Sequence, residues 1–272
     1  MTTLLHLSDT HFGTEMRPVS QALEHLVKEE GVKALVLSGD ITQRATRRQF
    51  MAAREYIHTL AIPHILALPG NHDISLWCPW QRLMCPYSLY QEFFPTPFDR
   101  YGLTSLACPD VTVIGVNTTR PHRHIHGELS CDQIVEVTRR LRAAKPKTLK
   151  LVAVHQPAYV LHESDRKNLL RGNMDAALQV WRDAGANAVL GGHIHHPYIV
   201  PVSGNGQGRR LWIVQAGTAV SRRVRENYPN SVNLIRRTSD GTAWQAQRWD
   251  YEAPGQRFEM KEQIRIQEVS RS

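Results

Sequence analysis

The chain has 272 residues, with 33 Lys and Arg against 25 Asp and Glu for a formal charge of +8, and 42% of it is apolar. That composition supports a sizeable folded core and argues against a disordered or fibrous chain. No run reaches the ~18 apolar residues of a membrane span, and the N-terminus lacks the order of a signal peptide. A cytoplasmic protein with no membrane partner is the expectation.

In chain order, Leu4 to Leu7 is the first apolar run, and an i, i+3, i+4, i+7 stripe of Val19, Ala22, Leu23, Leu26 and Val27 follows. That stripe predicts a helix closed by Gly31 as its C′ residue. Ala34 to Leu37 predicts a second strand, Phe50, Ala53, Ile57 and Leu60 a second helix before Pro63, and Ile65 to Leu68 a third strand. Residues 77–97 are rich in Trp, Pro, Cys and Tyr; they read either as a cap or insert, or as an aromatic helix and loop packed on the core. Val111 to Val116 predicts a strand, Ile134, Val137 and Leu141 a helix with Ser130 as its N-cap. Leu151 to Val154 and Ala188 to Leu190 are further strands, separated by a helix marked by Ala177, Leu178 and Trp181 and ended by Gly185.

Beyond residue 195 the texture changes. Leu211 to Gln215, Ser231 to Arg236 and Thr242 to Trp249 predict strands, the last two joined through Asp240-Gly241 as a hairpin. Gly204-x-Gly206-x-Gly208 lacks a strand-to-helix context and reads as a hairpin loop. Residues 257–272 are polar and read as a peripheral strand or a loose tail. An α/β first part and a β-rich last part imply two packed sheets flanked by helices, with 1–272 as one domain.

Chemistry-bearing residues recur directly after the apolar runs: Asp9-Thr10-His11, Gly39-Asp40, Gly70-Asn71-His72-Asp73, His155 and Gly192-His193-Ile194-His195. Ligands of layered α/β sheets collect at the carboxyl ends of strands, so these groups should meet on one rim. Mixed N/O donors suit borderline divalent metals, and the set reads as a two-metal hydrolytic centre. Two cations ~3.5–4 Å apart can neutralise a phosphoryl group and activate water, and they need a bridging ligand, for which Asp40 is the candidate. In extended geometry Asp9 and His11, and likewise His193 and His195, point to one side. The Gly191-Gly192 pair lets the backbone pass close beside such a cluster.

These motifs, complete and in order from Asp9 to His195, resemble the calcineurin-like metallophosphoesterase family. Gly127-Glu128-Leu129-Ser130 and Gly217-Thr218-Ala219 followed by Pro229-Asn230-Ser231 further resemble the branch containing class III cyclic-nucleotide phosphodiesterases. One departure is Gln43, where some members place an acidic residue. The resemblance implies a four-layer αββα sandwich of two mixed sheets with a dinuclear site at strand C-terminal ends. It implies that Asp9, His11 and His195 bind one metal, that Asn71, His155 and His193 bind the other, and that Asp40 is shared. The ions would be Mn, Fe or Zn. His72 would act on the leaving oxygen or the phosphoryl group, and Asp73 could orient it as a general acid. Asn71, Arg120, His124 and His126 are expected near the substrate.

The remaining signals are weaker. His6 is expected in the core, bonded to backbone, and His25, His58, His64, His162 and His196 at the surface or just behind the site. The four cysteines lack metal-ligand spacing and read as free thiols. The basic residues are scattered, Arg222, Arg223 and Arg225 among them, which favours a solvated surface with a general attraction for anions. Hydrolysis of a small phosphodiester such as a cyclic nucleotide is the leading function. The alternatives are a nuclease acting on single-stranded nucleic acid and a non-catalytic binding scaffold; a homodimer is left open.

Overall fold

Two sheets can pack face to face because the apolar runs are buried on both faces, as in Leu4–Leu7, Ala34–Leu37 and Ala188–Gly191. In the computed structural model, which describes residues 1–76, 78–202 and 210–268, the elements are, in order, β1 (Leu4–Leu7), α1 (Arg17–Glu29), β2 (Ala34–Leu37), α2 (Arg47–Thr59) and β3 (His64–Ala67). Then come α3 (Pro79–Met84), α4 (Ser88–Phe93), β4 (Leu103–Ala107), β5 (Val111–Val116), α5 (Cys131–Ala143), β6 (Leu149–Ala153), α6 (Met174–Asp183) and β7 (Ala188–Gly191). β8 (Tyr198–Val202), β9 (Leu211–Gln215), β10 (Ser231–Arg237), β11 (Ala243–Glu252) and β12 (Arg257–Glu268) complete the described chain.

Among the described residues the strands form two six-stranded sheets, ordered β12-β11-β10-β1-β2-β3 and β4-β5-β6-β7-β9-β8. Both are mixed: β1, β2 and β3 run parallel and β10 to β12 antiparallel, while β5, β6, β7 and β9 run parallel between antiparallel edges.

Three apolar layers hold the sandwich. On β2, Leu35 and Leu37 face α1 and α2 with Leu23, Leu26, Phe50 and Ile57, whereas Ala34 and Val36 face the other sheet. On β6, Val152 lies against α5 and α6 with Val137 and Trp181, whereas Leu151 and Ala153 face inward. The period-2 alternation thus serves one helix layer and one inter-sheet layer from the same strand. Each fully buried Leu or Val contributes about 1.5–3 kcal/mol against its exposed state. The four-layer αββα arrangement expected from the family resemblance is the one observed.

Local signals act as read. Gly31 has φ +58° and donates its N–H to Lys28 O, closing α1. Ser130 caps α5 reciprocally with Gln133: Gln133 N–H donates to Ser130 Oγ at 3.2 Å and Ser130 N–H to Gln133 Oε1 at 3.1 Å. The four cysteines are free thiols.

One expectation changes, and two open ones are decided. His6 is buried, but its partners are side chains: Ser38 Oγ at 2.9 Å and Asn233 Nδ2 at 3.4 Å. Strand neighbours supply the polar groups because the backbone of β1 is already spent on its two ladders. His196, expected at the surface or just behind the site, is buried under a stacked His162 ring and beside Tyr228. Of the two readings of the C-terminal segment, the peripheral strand is the one observed over residues 257–268, and β12 pairs along the length of β11. Its polar sequence suits an edge strand: Phe258 and Ile266 are buried, while Lys261 pairs with Glu252 at 2.6 Å. Residues 269–272 and the Gly204-x-Gly206-x-Gly208 loop lie outside the described residues.

The 77–97 segment, whose Trp77 also lies outside the described residues, divides into two. α4 belongs to the core: Tyr90 is fully buried, its hydroxyl donates to Ala67 O at 2.8 Å, and Phe94 stacks on it. α3 has no buried residue and exposes Trp80, Leu83 and Met84.

Candidate metal centre

The site forms where the turns after β1, β2 and β3 meet those after β6 and β7. Asp9, His11, Asp40, His193 and His195 all adopt positive φ, between 42° and 74°. Non-glycine residues avoid that region at a cost of order 1 kcal/mol or more each. The i, i+2 pairs are therefore not extended, as their spacing had suggested. The chain coils back at the strand end, so that Asp9 and His11 meet His195, while His193 swings to the far side with Asp40 and His155.

Donor atoms converge in overlapping groups, Asp9–His11–His195, His11–Asp40–His72 and Asp40–His155–His193, each within 4.8 Å. Asp40 links the two sides. Its Oδ1 lies 3.3 Å from His155 Nε2 and its Oδ2 3.9 Å from His11 Nε2. Asn71 Oδ1 lies 3.3 Å from His155 Nε2.

Elements behind the rim aim these groups. His155 Nδ1–H donates to Ser38 O at 2.8 Å and His195 Nδ1–H to Arg223 O, which turns both Nε2 atoms into the cluster. Asp9 Oδ2 accepts from the His193 backbone N–H at 2.8 Å and Asp40 Oδ1 from that of His72 at 2.8 Å. One carboxylate oxygen of each aspartate thus has a backbone anchor.

The groups fit a pair of cations. Asp9 Oδ1 and His193 Nδ1 are buried without a hydrogen-bond partner, and His11 Nε2 and His195 Nε2 face each other at 3.2 Å. Burial opposes ionisation of Asp9 and Asp40, yet the imidazoles facing them outweigh it and hold both carboxyls well below the usual range. Burial pushes His11 down to about 3 and His193 to about 4. For His155 burial is overcome by Asp40, which holds it up to about 9. Ionised carboxylates and neutral imidazoles are the forms metal binding requires, and a proton held by His155 against Asp40 is one a cation would displace.

His72 and Asp73 divide differently from expectation. Asp73 does not touch the His72 ring. Its carboxylate accepts from the backbone N–H groups of Ile41 at 3.0 Å, Thr42 at 2.8 Å and Gly70 at 2.8 Å, and from the Thr42 hydroxyl. Burial and Asp40 push its carboxyl up to about 6 against those donors. It is a brace that ties the β2 turn to the β3 turn. The residue that orients His72 is Gln43, whose backbone oxygen accepts from His72 Nδ1–H at 2.9 Å. A 3-10 turn over Asn71–Asp73 explains the swap, because successive side chains there point to different sides.

Sequence reasoning missed Arg223. Its Nη1 lies 2.9 Å from Gln43 Oε1, 3.3 Å from His72 Nε2 and 3.5 Å from His11 Nδ1. The signal that could have found it was Gly217-Thr218-Ala219, since Thr218 Oγ1 donates to Arg223 O at 2.9 Å and sets the turn.

The 120–126 segment is fastened beside His155. Gln156 Nε2 donates to Ile125 O at 3.3 Å, and Tyr87 of the insert bonds Thr119. The Arg120 guanidinium is committed to Asn117 O, Thr119 O and Gln133 Oε1. His124 is exposed, and His126 has its Nδ1 buried without a partner.

Residues 2–197 match the calcineurin-like phosphoesterase family, so the chain belongs to that family. Its fold is similar to that of a purple acid phosphatase from yellow lupin (Lupinus luteus), at 10% identity and TM-score 0.74, covering 98% of this chain and 53% of that one. This chain thus spans about half the lupin protein's length. It is also similar to a dimetal phosphatase from Danio rerio, at 13% identity and TM-score 0.62 with 99% of each chain covered. A third similar structure is Vps29 from Chaetomium thermophilum, at 9% identity and TM-score 0.50, covering 100% of this chain and 98% of that one. At such identities the likeness is one of fold. Among curated proteins none matches the chain significantly.

Proposed function

We propose that the chain hydrolyses the phosphodiester bond of a small substrate, a cyclic nucleotide being the first choice, at a dinuclear site. The observation that carries this reading is Asp40, whose two oxygens face imidazoles on opposite sides. Asp9, His11 and His195 would hold one ion, Asn71, His155 and His193 the other, with Asp40 between. When bound, such ions neutralise the phosphoryl oxygens and activate water. Asn71, a neutral donor, leaves the centre more electrophilic than a third carboxylate would. His72 turns its Nε2 to the same cleft, because Nδ1 is spent on Gln43. It can hand a proton to the departing oxygen or steady charge on the phosphoryl group.

A small substrate is favoured over a polymer because the basic side chains are dispersed, and many are paired away from the cleft, as Arg139 and Arg140 are with Glu136. A panel of cyclic nucleotides, bis-p-nitrophenyl phosphate, p-nitrophenyl phosphate and single-stranded DNA, with added Mn²⁺, tests the reading. Hydrolysis of the small diesters should persist at high salt, since few phosphates are held at once. Steeply salt-sensitive cutting of single-stranded DNA, with negligible action on cyclic nucleotides, would overturn it.

A further inference from the structure

Arg223 stands apart from the nearby Arg225. Arg225, two residues on, is neutralised by Asp165, which accepts from its Nη1 at 2.9 Å through both oxygens. Arg223 makes no ion pair with any carboxylate among the described residues. Its partner is an amide, Gln43 Oε1 at 2.9 Å. A guanidinium held by an amide keeps its full positive charge and its remaining N–H groups.

The neighbouring rings take at most one of those donors. His11 turns its Nε2 toward Asp9 and Asp40, which leaves Nδ1 as the N–H of a metal-ready ring and a poor acceptor for Arg223 at 3.5 Å. His72 Nε2 is the acceptor of its ring, because Nδ1–H is spent on Gln43 O. It takes one Nη1 hydrogen at 3.3 Å while Gln43 Oε1 takes the other, so the Nη2 and Nε hydrogens stay available. The guanidinium therefore stands at the rim beside His11 and His72, partly buried, cationic and aimed where an anion would enter. Its backbone is fixed independently of the side chain. Arg223 N–H donates to Ser221 Oγ at 3.0 Å, and Arg223 O accepts from Thr218 Oγ1 and from His195.

We infer that Arg223 is a substrate-binding residue that grips a phosphoryl oxygen, and that Gln43 is the residue that keeps its charge available. The inference rests on the phosphoesterase reading. A guanidinium presents a planar fork that matches two oxygens of a phosphoryl group. A carboxylate at position 43 would take that fork for itself. Gln43 holds the arm in place without cancelling it.

The test uses Arg223→Met, which keeps much of the side chain's length, and Gln43→Glu, which keeps Arg223 but pairs it. Metal content is measured first. Orthophosphate affinity of the metal-loaded proteins is then read by calorimetry, beside KM and kcat for bis-p-nitrophenyl phosphate. Arg223→Met should bind orthophosphate roughly 10- to 100-fold more weakly, the loss expected for a hydrogen bond to a charged group. Its metal content should be unchanged, and KM should rise more than kcat falls. Gln43→Glu should move phosphate affinity in the same direction. Unchanged phosphate affinity in Arg223→Met, or loss of metal in step with affinity, would overturn the assignment. The two readings fail separately. Wild-type protein that hydrolyses no ester but loses phosphate binding in both variants would sink the phosphodiesterase reading alone. Intact hydrolysis with unaltered phosphate affinity would sink the role of Arg223 alone.

Discussion

The two sheets bring different chemistry to one rim. The first, through the turns after β1, β2 and β3, brings both carboxylates, Asp9 and Asp40, together with Asn71, His11 and His72. The second, through the turns after β6 and β7, brings imidazoles alone: His155, His193 and His195. Neither half holds both charge and enough donors for two ions. The centre is therefore a property of the contact between the sheets, and whatever holds the sheets together there also sets metal affinity.

That contact is tight. A Cβ at Gly192, after β7, would stand 1.8 Å from Ser8 Oγ, after β1. A Cβ at Gly39, after β2, would stand 2.5 Å from His155 Nδ1, and Gly39 has φ +106° as well. Glycine is needed at both places because the two rims pass within backbone distance. Beneath them a polar seam crosses the interface: His6 with Ser38 and Asn233, and Asn233 Nδ2 to Gln215 O at 3.4 Å. Gln215 Nε2 in turn donates to Gly192 O.

The most damaging way to break the comparison is to remove the group shared by both sides. Asp40→Ala should lose at least one metal ion per chain, read by metal analysis, and lower hydrolysis to background. Full retention of both ions would refute the bridging role. Next in size is His72→Ala, on the first sheet but outside the proposed ligand set. It should keep its metal while turnover slows by ~10²–10⁴-fold, if the ring acts as the acid. The loss should be smaller for p-nitrophenyl esters, whose leaving group needs little protonation. Equal losses across leaving groups would point instead to electrostatic stabilisation. The smallest effect should come from Gly192→Ala, which forces the two sheets apart at the rim. It should cost roughly 1–3 kcal/mol of stability, as overpacking does, measured by denaturant unfolding. Metal affinity should fall with it. A stable protein with weakened metal binding would show that the sheets move as rigid bodies, whereas unchanged binding would show that the site tolerates their separation.

The portions of this molecule legible in its residues were those with local causes. Apolar runs of three or four residues placed the strands that feed the rim, and the 3.6-residue stripes placed α1, α2, α5 and α6 with their caps at Gly31 and Ser130. The donors followed because each stands within a few residues of a strand end, so a parallel sheet has no choice but to line them up. The edges were harder. β12 is polar enough to read as a tail, since one face of it meets water, and β8 holds a proline that its edge position tolerates.

What depended on the folded chain were contacts between residues distant in sequence. Asp73 stands beside His72, yet its partners are the Ile41 and Thr42 backbone some thirty residues earlier. Gln43 looked like a departure from a pattern until Arg223 was found against it, 180 residues away. Arg223 itself was one of three basic residues in four positions, and no periodicity separates it from Arg222 or Arg225. Strand order and local spacing can say which side chains leave a sheet at the same end. They cannot say which of these meet across the gap between two sheets, because that is set by the packing of Ala34, Val36, Leu151, Leu190 and their neighbours in the layer between.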